Sequence, residues 1–204
     1  TTAGTISAIF AFLAIYPSWQ NSIHDEVSTH LEHTASGRNF TYSNSYRSLA
    51  VTLAVVQETL RLAGPAQALL RKSTGPTYLP SRRVAATDGT LSEGDFVRIP
   101  ARAHVREHVQ GVHYTDVWDD PTAFNPARFL EKEKLAERMK GFESVALVAS
   151  IMLKYKVEIP IHEQAEWALK DGESENDRRN RVLKPLNFFA LAPHAIDLVF
   201  VPRD

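Results

Sequence analysis

Ser48–Leu62, SLAVTLAVVQETLRL, decides how this chain is read. The stretch is apolar enough to predict a buried helix. It ends by placing Glu58 and Arg61 three residues apart, on one helix face and within reach of each other. A carboxylate and a guanidinium taken out of water must hold each other through charge-assisted, often bidentate hydrogen bonds. Removing one partner of such a buried pair costs roughly 3–5 kcal/mol, because the other charge is stranded. On an exposed face the same spacing gives an ordinary pair worth about 0.2–0.5 kcal/mol. What lies downstream favours the buried reading.

The bulk composition sets limits around that helix. The chain has 204 residues, 44% hydrophobic and 23% charged, which is globular. Its formal net charge is −1, so no polyanion or nucleic-acid partner is implied. There is no cysteine, which removes disulfides, zinc–thiolate sites and thiolate nucleophiles. The apolar run from Ala3 to Tyr16 is shorter than the ~20 residues of a membrane span, so no membrane span is expected. The chain opens inside this apolar helix without a capping group, and we expect a fragment lacking its N-terminal part.

Upstream, Thr1–Ala14 reads as a helix that is apolar on nearly every side, suited to the middle of a larger protein. Pro17 starts a second, amphipathic helix with Trp19, Ile23, Val27 and Leu31 at four-residue intervals. His30 and His33 are spaced to share a metal, but no third ligand is evident, and a solvated face is the simpler reading. Asn39-Phe40-Thr41 forms a glycosylation sequon in a polar loop and, without a secretory signal, reads as coincidence.

Downstream of Gly64-Pro65 the pattern turns to short extended pieces: Ala66–Leu70, Thr77–Leu79, Phe96–Ile99 and His104–Val109, the last two joined through Pro100-Ala101-Arg102. They predict one small sheet over residues 66–112. Residues 112–130, VHYTDVWDDPTAFNPARFL, have neither helical nor strand period, and a long aperiodic segment has a specific job. Arg128, between Pro126 and Phe129, is placed to dock on Glu58 and make a three-member ionic cluster with Arg61. A charged helical run at Lys132–Lys140 leads to a buried helix over 142–155. Residues 156–204 are expected to alternate strands with a solvated charged loop, DGESENDRRNR, and to close on the strand Ala195–Val201.

In this order the pieces resemble the C-terminal half of the cytochrome P-450 family of haem-thiolate monooxygenases. ETLRL at Glu58–Leu62 is similar to the family's E-x-x-R helix. His113, Trp118, Phe124, Pro126 and Arg128 match its H-x-x-P-x-x-W … F-x-P-x-R-F meander, with Thr115-Asp116 where the family often has Asn-Pro. SVALVASIMLKYKVEI resembles the helix after the haem loop, and RKST…TYLP over Arg71–Pro80 resembles fungal, membrane-bound members. The resemblance implies a mainly α fold with small β-sheets (α+β), a partial cytochrome P-450 fold in a single partial domain over residues 1–204. It implies a haem cofactor, a reductase as electron donor, a small apolar substrate, and an endoplasmic-reticulum anchor that would precede Thr1. The compartment itself is not set by these residues.

The resemblance also assigns roles. Thr1, with its neighbour Thr2, falls on the family's oxygen-activating threonine; a register through Ala3-Gly4 leaves Ser7 and Ala8 out of pattern. Arg71 falls on an arginine that pairs with a haem propionate, or else is a basic residue on an exposed strand end. Glu58, Arg61 and Arg128 fall on a structural ion cluster. The family's iron ligand is a cysteine in a loop F-x-x-G-x-R-x-C-x-G. Here the meander ends at Phe129 and the next helix resumes near Phe142-Glu143, with Lys134 near the ligand position. No haem-thiolate centre and no metal site are therefore expected. Three readings follow: a truncated or inactive monooxygenase, a degenerate relative acting as a non-catalytic binding module, or a haem protein using one of the eight histidines.

Overall fold

The computed structural model describes residues 2–32, 48–64, 66, 68–84, 91–115, 118–130, 142–183, 186–187, 191–192 and 196–203. Thr1, His33, the Asn39 sequon, Asp116 and the Lys132–Lys140 run lie outside them. In chain order the elements are helices α1 (Thr2–Ile15), α2 (Pro17–Glu32) and α3 (Ala50–Ala63), then strands β1 (Ala68–Lys72), β2 (Thr77–Val84), β3 (Leu91–Ile99) and β4 (His104–His108). There follow the helical turn α4 (Val109–His113), a 3-10 turn at Pro126–Phe129, α5 (Phe142–Lys154), β5 (Tyr155–Glu158), α6 (Gln164–Trp167) and α7 (Glu175–Leu183). The last elements are the short strands β6 (Leu186–Asn187), β7 (Leu191–Ala192) and β8 (Val199–Pro202). The fold is mainly α with small antiparallel sheets.

Two compact units form: residues 1–67 with 110–204, and residues 68–109. In the first, α1 is buried from Ala8 to Ile15, with Ile9 and Leu13 sealed from solvent. That explains a helix without a polar face: it is surrounded. Pro17 has no N–H to continue the helix, and α1 and α2 diverge there by 109°. No single described helix is long and apolar enough to cross a membrane.

The corner is tied by Gln20, which is buried. Its Nε2 donates to the Leu13 carbonyl at 2.9 Å and to the Val157 carbonyl at 2.8 Å. Its Oε1 accepts from the Val157 N–H at 2.8 Å. The Gln20 amide thus pairs with Val157 as a neighbouring strand would, while β5 pairs with β8 through Val157↔Phe200. Ile23 and Val27 of α2 join Val145, Val148, Ala149 and Met152 of α5 in the same core.

Helix α3 begins without a local side-chain cap, since the Leu49 side chain has no oxygen to offer. Glu26 of α2 caps it instead, accepting from the Val51 N–H at 2.6 Å, the Thr52 N–H at 2.9 Å and the Thr52 hydroxyl at 2.8 Å. At the other end Gly64 leaves the helix in an extended conformation, and a Cβ there would run into the Leu60 carbonyl oxygen.

Two expectations need correction. Residues 175–183 are helix α7 and not a solvated loop. Ser174 caps its start: the Asp177 N–H donates to Ser174 Oγ at 3.1 Å, and that hydroxyl donates to Asp177 Oδ2 at 2.6 Å. The acids Glu175 and Asp177 in its first turn and Arg181 in its last suit the helix dipole. In the second unit, the strands form two separate two-stranded ladders, β1 with β4 and β2 with β3, where one sheet was expected. β3 and β4 are consecutive but do not pair. Ser73 holds the crossing, its N–H donating to the Ala103 carbonyl at 3.0 Å and its hydroxyl to the Pro100 carbonyl at 2.7 Å. Arg102 takes a left-handed φ of 62° in that turn.

Candidate functional site

The last turn of α3 faces the aperiodic segment that follows α4. Arg61 Nε donates to Glu58 Oε2 at 2.7 Å and Arg61 Nη2 to Glu58 Oε1 at 2.8 Å. The two side chains are 2% and 0% exposed, so the pair is the buried kind. Arg128 Nε reaches the same Glu58 Oε1 at 3.1 Å, as does the Asn125 N–H at 2.8 Å. One carboxylate therefore holds two guanidiniums and one end of the aperiodic segment.

The guanidiniums then serve backbone. A segment without ladder or helix bonds must find donors elsewhere for its buried carbonyls. Arg61 Nη1 donates to the carbonyls of His113 at 2.8 Å and Pro121 at 2.6 Å, and Nη2 donates to that of Ala123 at 3.1 Å. With its two bonds to Glu58, Arg61 uses all five of its N–H groups. Arg128 donates to the carbonyls of Asp119 at 2.7 Å and Asp120 at 3.2 Å. Asp120 sits at φ 41°, a left-handed conformation that Asp tolerates.

The exchange runs both ways. The last carbonyls of a helix lack intrahelical donors. His113 Nδ1 lies 3.1 Å from the Arg61 carbonyl, and the Tyr114 hydroxyl donates to the Leu62 carbonyl at 2.9 Å. Burial, helped by the Arg61 charge, lowers the His113 pKa and keeps the imidazole neutral, so the Nδ1–H tautomer suits this bond. Burial raises the pKa of Tyr114. Trp118 lies 5.3 Å from the Arg61 guanidinium and 5.9 Å from that of Arg128, and packs on Phe129 at 5.6 Å. Asn125 accepts from the Ala127 N–H at 3.2 Å and caps the turn that carries Arg128. The Asn-Pro pair at 125–126 was a readable start signal for that turn. The carbonyl targets were not readable, because aperiodic backbone leaves no pattern in side-chain types.

The other expected site residues are Thr1, Thr2 and Arg71. Thr2 opens α1 and is exposed, and Thr1 lies outside the described residues. Arg71, on β1, donates from Nε to Glu107 Oε1 of β4 at 2.5 Å in an exposed pair. Among the described residues no group of three or more His, Cys, Asp or Glu side chains could hold a metal ion.

A mainly α fold with small sheets, in which an E-x-x-R helix is locked onto an arginine-bearing meander, defines a cytochrome P-450-like scaffold. A family model described as cytochrome P-450 matches residues 1–146, and the chain belongs to that family. Cytochrome P-450 monooxygenase 124 of Postia placenta is 26% identical over 220 residues, covering 100% of this chain and 39% of the relative. The phomenoic acid biosynthesis cluster cytochrome P-450 monooxygenase of Leptosphaeria maculans is 31% identical over 142 residues, covering 66% of this chain and 22% of the relative. The crystal structure of a cytochrome P-450 superposes with a TM-score of 0.66 at 19% identity, covering 98% of this chain and 42% of that one. The chain thus spans well under half the length of each.

The family implies haem, and this chain's donors do not fit a haem-thiolate group. The axial ligand is a cysteine thiolate, and none of the 204 residues is cysteine. Residues 131–141, EKEKLAERMKG, connect the meander to α5 with a single glycine, where the family's ligand loop needs a cysteine and two glycines.

Proposed function

We propose that this chain carries the fold lock of a cytochrome P-450-like, oxygen-inserting oxidoreductase without its iron ligand, and is inactive as a monooxygenase by itself. The carrying observation is a contrast. The Glu58–Arg61–Arg128 cluster is complete to the last guanidinium N–H of Arg61, while the sequence has no cysteine. In the family, haem, a reductase and a small apolar substrate serve the reaction. Within this reading Thr1 and Thr2 occupy oxygen-activating positions and Arg71 a propionate position, but without a thiolate they have no iron centre to support. Titrating the chain with haem tests the reading. No saturable Soret band and no product with a reductase are expected. A stoichiometric band that one His→Ala change abolishes would overturn it in favour of histidine ligation.

A second reading is a non-catalytic binding module. It is favoured by the Glu58–Arg61 pair, in which every guanidinium N–H of Arg61 is satisfied by protein atoms, so that this pair needs no cofactor. It requires cooperative thermal unfolding of the haem-free chain. Aggregation without a cooperative transition would remove it.

A further inference from the structure

The tip of the meander is held by a residue that lies beyond the stretch the family model matches. Three consecutive carbonyls, those of Pro121, Thr122 and Ala123, each accept from a guanidinium. Arg61 takes the first and third. It cannot take the second, because its five N–H groups are used. Arg179 of α7 supplies that bond, its Nη1 donating to the Thr122 carbonyl at 3.0 Å. Arg179 is 4% exposed. Its guanidinium lies 5.5 Å from the Phe12 ring, and its Nη2 donates to Asn180 Oδ1 at 3.3 Å. One turn earlier, Asn176 Nδ2 donates to the Thr122 hydroxyl at 3.2 Å.

The surroundings support a fixed geometry. Phe124, two residues after Thr122, packs between Phe12 and Tyr16, with both ring centroids 4.8 Å away. Arg178, the neighbour of Arg179, donates to the Ile15 carbonyl at 2.8 Å and to Glu175 at 2.6 Å, which seats α7 on the end of α1. Helix α7 follows residue 146, where the family match ends. We infer that Arg179 is a positioning residue for the meander: by holding the Thr122 carbonyl it sets the path of residues 121–125, and so delivers the Asn125 N–H and Arg128 to Glu58. Helix α7 is thereby a working part of the ion-cluster site. The inference goes beyond the functional reading above and holds whether or not the chain takes up haem.

The test uses the full chain carrying Arg179→Gln and Arg179→Lys, read by amide hydrogen exchange. The Ala123 N–H, which donates to the Asp120 carbonyl at 3.1 Å, and the Asn125 N–H report on the meander, and the Val157 N–H on the rest of the unit. In Arg179→Gln, exchange at Ala123 and Asn125 is expected to rise about tenfold or more, with Val157 unchanged, and in Arg179→Lys by less. In a double-mutant cycle on stability, Arg179→Gln and Arg128→Gln are expected to be non-additive although the two arginines do not touch. Unchanged exchange at Ala123 and Asn125 would overturn the inference. So would an equal rise at Val157, or an additive cycle.

Discussion

Arg61 and Glu58 meet twice, Nε to Oε2 at 2.7 Å and Nη2 to Oε1 at 2.8 Å, one helical turn apart on α3 and closed to solvent. Neither charge has water to fall back on. Glu58→Ala leaves two guanidiniums without their carboxylate, and Arg61→Ala leaves the buried carboxylate with only Arg128 and the Asn125 N–H and uncaps three carbonyls. Each is expected to lose roughly 3–5 kcal/mol of stability, measured by urea unfolding. Arg61→Lys is expected to rescue little, because an ammonium cannot reproduce the five-donor fork. Recovery of most of the stability in the Lys variant would mean that charge matters here and geometry does not.

Gln20 makes a different prediction, because it is neutral. Gln20→Leu keeps the volume but leaves the buried Val157 N–H and carbonyl without partners. The expected cost is about 1–3 kcal/mol for each unsatisfied group. Faster hydrogen exchange at the Val157 amide, ahead of any change in α5, would locate the loss.

Gly64 ends α3 at a close approach to its own last turn. Its φ of −62° suits any residue, so space and not conformational freedom requires glycine. Gly64→Ala drives a methyl into the Leu60 carbonyl oxygen. Relief must move the chain just after Arg61, and a loss of about 1–3 kcal/mol is expected from overpacking of this kind. A thermal midpoint equal to the parent's would contradict it.

Three groups give the stability a pH dependence in acid: His113 and Glu173 weaken the fold as pH falls, while Glu26, whose carboxyl pKa burial raises above 4.5, opposes them. Burial holds the His113 pKa below its ordinary 6.5, so the unfolded chain binds more protons. Its contribution is present above 6.5 and is lost as pH falls through the folded-state value. The Arg181 side chain, bonded to Glu173 at 2.6 and 2.7 Å, lowers the Glu173 carboxyl from 4.5 to about 2. Its contribution is present above 4.5 and fades as pH falls toward about 2. Urea unfolding repeated from pH 7 to about 2 should therefore show a loss in each window, offset in part by Glu26. His113→Asn should flatten the upper window and Glu173→Gln the lower. A profile unchanged by either substitution would refute these assignments.

The local signals in the sequence were read well where a partner lies within one turn or one period. Glu58 and Arg61 share a helix face by spacing alone, and the apolar run of α1 showed a surrounded helix. Helix α7 had its start written in Ser174 and Asp177, yet its charge density pointed to a solvated tip. That density was misleading because Arg178, Arg179 and Arg181 each find backbone acceptors, the Ile15, Thr122, Glu166 and Ala168 carbonyls among them. Nothing near Leu49 indicates how α3 is capped, since the oxygen comes from Glu26 on another helix.

The sequence by itself determined the periodic elements, the ion pair at one-turn spacing, and the absence of a thiolate, because each depends only on residue type and separation along the chain. Tertiary structure alone decided which carbonyls the arginines hold, that Gln20 acts as a strand neighbour, and that α7 belongs to the meander. The physical reason is that buried backbone in an aperiodic segment takes any donor that packing brings near, and that donor leaves no mark at the position it serves.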